Sequence, residues 1–159
     1  MLSPAALARI DREAAKYPPE QKRSAVMAAL VIAQDEKGWL SNDTIAFIAG
    51  YLEMPPVAVY EVATFYSMYN LEPAGRHKIT ICTNLPCALQ GADVAAAHLQ
   101  ERLGISFNQT TADGAITLKE GECMGACGDA PVCLHNDKKM LSWMTPEKLD
   151  ALIEELRAK

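Results

Sequence analysis

The chain has 159 residues, 50% hydrophobic and 22% charged, which suits one ordinary domain or a compact domain with a helical appendage and excludes a disordered chain. Its formal net charge of −5, with no lysine- or arginine-rich block, leaves no basic footprint for nucleic acid. The longest charge-free stretches, residues 24–34 and 79–92, fall short of the roughly 18 to 20 apolar residues of a membrane span, so no direct membrane insertion is expected.

The first part of the chain reads as helical. Residues 4–16 suit a helix that Tyr17-Pro18-Pro19 ends, because neither proline donates into a helix interior. A second helix begins near Pro19, with Val26, Leu30 and Ala33 on one face and Gly38 as its stop. Ser41-Asn42-Asp43 caps a third, whose apolar face is Ile45, Ile48, Ala49 and Leu52 and which ends at Pro55-Pro56. Val59, Val62, Ala63 and Tyr66 repeat the pattern in a fourth. Residues 1–72 are therefore expected to form a small helical bundle.

Pro73-Ala74-Gly75 marks a boundary, and residues 73–159 read as α/β. Residues 77–82 form a strand that ends on Cys82, and residues 86–103 form one helix. Residues 115–118 make a second strand, and residues 131–134 and 139–141 a hairpin around Asn136-Asp137-Lys138. Thr145-Pro146 opens a last helix with Leu149, Leu152, Ile153 and Leu156 on one side. A strand-helix-strand crossover followed by a hairpin and a closing helix is the order of a small thioredoxin-like α/β domain.

The chemistry is carried by cysteine. Cys82 and Cys87 are spaced C-x4-C, Cys123 and Cys127 C-x3-C, and 35 residues separate the pairs. Four converging thiolates are soft ligands that point to an iron–sulfur cluster or to zinc. The longer C-x4-C reach favours the cluster, and a four-cysteine structural zinc site serving as an interaction module is the alternative. Gly121, Gly125 and Gly128 allow close backbone approach around the second pair, with N–H groups free to donate to sulfur. A helix start at Pro86 would turn free amides toward the Cys87 sulfur and favour thiolate. Cys133, in Pro131-Val132-Cys133-Leu134, reads as plain strand core. An odd total of five cysteines, without a secretory signal at Met1-Leu2-Ser3-Pro4, suggests a reducing compartment rather than a disulfide framework.

Val62-Ala63-Thr64-Phe65-Tyr66, Cys82-Thr83-Asn84-Leu85-Pro86-Cys87 and Gly121-Glu122-Cys123-Met124-Gly125-Ala126-Cys127 with Ala130-Pro131 together resemble the small thioredoxin-like 2Fe-2S subunit of respiratory complex I. The resemblance covers almost the whole chain. It implies one 2Fe-2S cluster on Cys82, Cys87, Cys123 and Cys127, and an FMN- and NADH-binding flavoprotein as neighbour among the other complex I subunits. It also implies a cytoplasmic place, peripheral on the inner face of the bacterial plasma membrane through the complex. Similar subunits occur in NAD-linked formate dehydrogenases and bidirectional hydrogenases, which these motifs do not separate from complex I. At Cys133 the family is expected to carry methionine or another apolar residue.

No catalytic residue of its own is expected. The chain has no G-x-G-x-x-G, and His77, His98 and His135 are scattered in sequence. The role expected is a one-electron carrier or temporary store inside an NADH:quinone oxidoreductase, with catalysis in the partner. A thiol-disulfide enzyme on Cys123 and Cys127 is the further alternative, against which the C-x3-C spacing argues. Arg76, Lys78 and Lys119, near the motifs in sequence, are expected to be solvated.

Overall fold

The computed structural model describes residues 1–158. The chain divides into two compact units, Met1–Pro73 and Ala74–Lys159.

The first unit is helical. Ser3 caps α1 (Pro4–Ala14) by accepting from the Ala6 amide at 3.2 Å, with Pro4 in the first turn where no N–H is needed. The segment expected to open the second helix forms instead a 3-10 turn over Pro19–Ala25, and α2 runs over Val26–Lys37 until Gly38, at φ 82°, turns the chain left-handed. Ser41 caps α3 (Asn42–Tyr51), and Pro55-Pro56 separates it from α4 (Pro56–Phe65). Ile10, Leu30, Leu40, Ile48, Leu52 and Val59 fill the core. Tyr66, expected on the buried stripe of α4, is exposed, because the helix ends at Phe65 and Tyr66 takes extended backbone. The Gln34 side chain ties α2 to the segment after α4, donating to the Met68 carbonyl at 2.9 Å and accepting from the Asn70 amide at 2.6 Å.

The second unit is α/β. Its sheet has the order β2-β3-β1-β4-β5, from β1 (His77–Cys82), β2 (Gln109–Thr110), β3 (Ile116–Gly121), β4 (Cys133–His135) and β5 (Lys139–Leu141). β1 is central, parallel to β3 and antiparallel to β4. The single helix expected over residues 86–103 is broken into α5 (Leu85–Ala88) and α6 (Ala92–Leu103), since Gly91 sits at φ 89° between them. Strand β2, two residues long, carries no alternation that would signal it, and β4 starts two residues later than its apolar run. Asn136 and Asp137, at φ 52° and 54°, turn the chain left-handed between β4 and β5. α7 (Pro146–Arg157) and α6 pack Leu149, Ile153, Leu156, Ala95 and Leu99 against Ile79, Ile81, Ile116 and Leu118 of the sheet.

Candidate metal centre

Register places the two cysteine segments side by side. Cys82, the last residue of β1, pairs with Gly121, the last of the neighbouring parallel β3, so both segments leave the sheet at the same end. On its other side the Cys82 amide donates to the Val132 carbonyl at 3.1 Å, just ahead of β4. After Asn84 the chain turns into α5, a single turn with Pro86 at its start, and this turn delivers Cys87. Beyond β3 the backbone passes Cys123 and reverses at Gly125, φ 70°, into a 3-10 turn over Cys127–Asp129. A side chain at Gly125 would force a left-handed L-residue, and the Gly125 amide donates to the Cys123 sulfur at 3.4 Å.

The thiols stand as two pairs of unequal exposure. Cys82 and Cys87 are buried, each 1% exposed, in a small cluster with Ala92 and Val132, while Cys123 and Cys127 are exposed. Burial, then the hydrogen bond to Cys82, then the charges of Cys82, Cys127 and Cys123 push the Cys87 thiol up to about 11. Desolvation followed by Cys123 likewise raises Cys127. The expected thiolate-favouring helix start at Cys87 is therefore not found. α5 is one turn long, and the Cys87 amide is spent on the Asn84 carbonyl at 2.9 Å. In the metal-free chain the raised Cys87 and Cys127 thiols hold their protons, and a bound metal must displace them. Among the described residues no group of three or more His, Cys, Asp or Glu is placed to hold a metal ion. Two thiol pairs carried out of neighbouring strands β1 and β3 are nonetheless a donor set whose chemistry suits a two-iron core, in which each iron takes two sulfurs.

Cys133 lies in β4 with no exposed surface, among Ile79, Ile81 and Leu149, and burial lifts its thiol to about 12. It is core, as its sequence context indicates.

Two charged or polar groups depart from expectation. Lys78 is buried at 4% exposure and pairs with Asp137 at 2.5 Å, because the β4–β5 turn folds over it, whereas Arg76 is exposed. Four residues along β1 put Lys78 about 13 Å from Cys82. The histidines are not all scattered: His77 and His135 bring ring nitrogens within 3.2 Å across β1 and β4, and His98 meets Asp150 at 2.9 Å. Sequence reasoning also passes over Thr83, Asn84, Glu120 and Glu122. Thr83 donates to Glu120 at 2.8 Å and Asn84 to Glu122 at 3.2 Å. The one signal for these is their position inside or beside the cysteine motifs.

The sequence pattern of thioredoxin-like 2Fe-2S ferredoxins matches residues 10–157. The chain belongs to that family. The E subunit of the NADH-quinone oxidoreductase of Rickettsia bellii is 47% identical over 143 residues, covering 89% of this chain and 85% of that protein. A second E subunit of the NADH-quinone oxidoreductase type, from Rhizobium meliloti, is 43% identical over 149 residues, covering 94% and 87%. Among solved structures, an NAD+-reducing NiFe hydrogenase in the air-oxidized state superposes with a TM-score of 0.70 at 24% identity. That match covers 81% of this chain but 22% of the hydrogenase chain, and it shows a shared fold. The family establishes the thioredoxin-like α/β fold of the second unit and 2Fe-2S as its cofactor class. Among the described residues no helix is long and apolar enough to cross a membrane.

Proposed function

We propose that this chain is the electron-carrier subunit of an NADH:quinone oxidoreductase, holding one 2Fe-2S cluster through Cys82, Cys87, Cys123 and Cys127. What supports the reading is that neighbouring strands β1 and β3 release the two cysteine segments at the same end of the sheet, in a chain 42–47% identical to the E subunits of several NADH-quinone oxidoreductases. When bound, the cluster supplies a one-electron couple. The chain's own residues place and insulate it. Cys82 and Cys87 anchor the inner side in apolar surroundings, Cys123 and Cys127 close the outer side, and the Gly125 amide donates to the Cys123 sulfur.

Residues 73–159 are assigned to cluster binding and residues 1–72 to a helical bundle. The partner is the flavoprotein that binds FMN and NADH, within a complex that holds this chain peripherally at the cytoplasmic face of the bacterial plasma membrane. Identities of 43–47% over 85–87% of the relatives' length support an NADH-quinone oxidoreductase as the host.

Purification of the tagged chain from its native membranes tests the assignment. The expected result is a complex containing the flavoprotein, in which NADH reduces the cluster, while the isolated chain gives no NADH oxidation. Co-purification with formate- or hydrogen-oxidising proteins, or NADH oxidation by the chain alone, would contradict it.

A further inference from the structure

The regular pairing of β1 with β3 stops at Cys82 and Gly121, at the point where the two cysteine segments begin to diverge. One backbone bond continues past it, from the Thr83 amide to the Gly121 carbonyl, and at 3.4 Å it is long. Side chains around the strand ends add to it. The Thr83 hydroxyl donates to a Glu120 carboxylate oxygen at 2.8 Å, and the Asn84 amide donates to a Glu122 carboxylate oxygen at 3.2 Å. Thr83 and Asn84 lie between Cys82 and Cys87, Glu122 directly precedes Cys123, and the two carboxylates are two residues apart along the strand direction. Hydrogen bonds to charged acceptors are the stronger kind, and here they span the two cysteine segments rather than stabilising either alone.

The geometry points to Glu120 and Glu122 as positioning residues that lock the first cysteine segment onto the second and so fix the spacing between the two thiol pairs. This assignment rests on the four-cysteine cluster reading given above. Asn84 stands directly before α5, where Pro86 has no amide to cap and the Cys87 amide is taken by the Asn84 carbonyl, and its side-chain amide reaches across to Glu122. Two carboxylates beside a negatively charged cluster also disfavour reduction, an effect tempered by the exposure of both side chains.

The test uses the full chain in two double variants. Glu120→Ala with Glu122→Ala removes the acceptors, whereas Glu120→Gln with Glu122→Gln keeps an acceptor oxygen at each place and removes both charges. In the metal-free chain, amide hydrogen exchange over residues 83–88 should quicken about tenfold in the alanine pair and return to within about twofold of wild type in the glutamine pair. In the loaded chain, the alanine pair should lose iron to a chelator about tenfold faster and show a shifted electron paramagnetic resonance spectrum. The glutamine pair should keep the wild-type spectrum while raising the reduced-to-oxidised ratio at a fixed potential a few-fold, a tenfold change being about 59 mV for one electron. Exchange, iron loss and spectrum all unchanged in the alanine pair would overturn the positioning role, as would a glutamine pair as defective as the alanine pair. A wild-type chain that takes up no iron and sulfide would sink the cluster reading, and the metal-free exchange experiment would still decide the clamp.

Discussion

Cys82 and Gly121 are register partners at the ends of two parallel strands, and this pairing brings two cysteine motifs from distant parts of the sequence to the same end of the sheet. Gly121 has little room for anything larger. A Cβ there would lie 2.7 Å from the Thr80 methyl, 2.8 Å from the Met124 methyl and 3.2 Å from the Ile81 carbonyl oxygen. Gly121→Ala is expected to cost about 1–3 kcal/mol in urea unfolding of the second unit and to lower cluster loading, since the stiff Thr80 methyl on β1 cannot swing aside as the Met124 tip can and the strand ends must shift apart. Gly128→Ala, with nothing within 4 Å, is the control that should leave the stability of the metal-free second unit unchanged.

The Lys78–Asp137 pair gives a second expectation. Asp137→Asn keeps a residue that tolerates the left-handed backbone at φ 54° but removes the carboxylate charge from a buried ammonium. Urea denaturation should show a loss of roughly 2–4 kcal/mol, and Lys78→Met combined with it should recover much of that. A single variant as stable as wild type would show that the pair is solvated after all.

In the first unit, burial and the neighbouring Tyr66 raise the Tyr69 phenol from 10.0 to about 12, and its hydroxyl donates to the Met27 carbonyl at 3.0 Å. The folded state thus keeps a proton that the unfolded chain gives up. This contribution is fully present below about pH 10 and is lost as pH rises toward about 12, on the order of 1–2 kcal/mol after allowance for solvent screening. Tyr69→Phe should be about 1 kcal/mol less stable at neutral pH and should converge on wild type across that window. Parallel stability curves for the two proteins between pH 9 and 12 would show that Tyr69 does not titrate with folding.

Much of this architecture is legible in the sequence, because periodicity reports which face of an element is covered. Ile45, Ile48, Ala49 and Leu52 stand at helical spacing and are all buried, and the Asn136-Asp137 turn sits where its residue types allow left-handed backbone. What periodicity misses is contact between distant segments. Nothing local distinguishes Lys78 from a solvated strand lysine, since the carboxylate that covers it comes from a turn at the far end of the sheet. Glu120 and Glu122 look like ordinary surface acids until Thr83 and Asn84 are seen opposite them. Gly91 breaks the helix, but the alanine-rich run around it masks that signal. At the candidate centre, spacing and glycine placement suggest that the cysteines converge, while the unequal exposure of the two pairs depends on how Ala92 and Val132 pack over Cys82 and Cys87.

The central claim is that four particular sulfurs hold one two-iron cluster. Iron and acid-labile sulfide should be counted per chain on anaerobically purified wild-type protein and on Cys82→Ala, Cys87→Ala, Cys123→Ala, Cys127→Ala and Cys133→Ala, with electron paramagnetic resonance after dithionite. About two irons and two sulfides and a spin-half signal are predicted for wild type and Cys133→Ala, with the cluster lost or strongly depleted in the other four variants. Zinc without sulfide in wild type, or loss of the cluster in Cys133→Ala alone, would contradict the account.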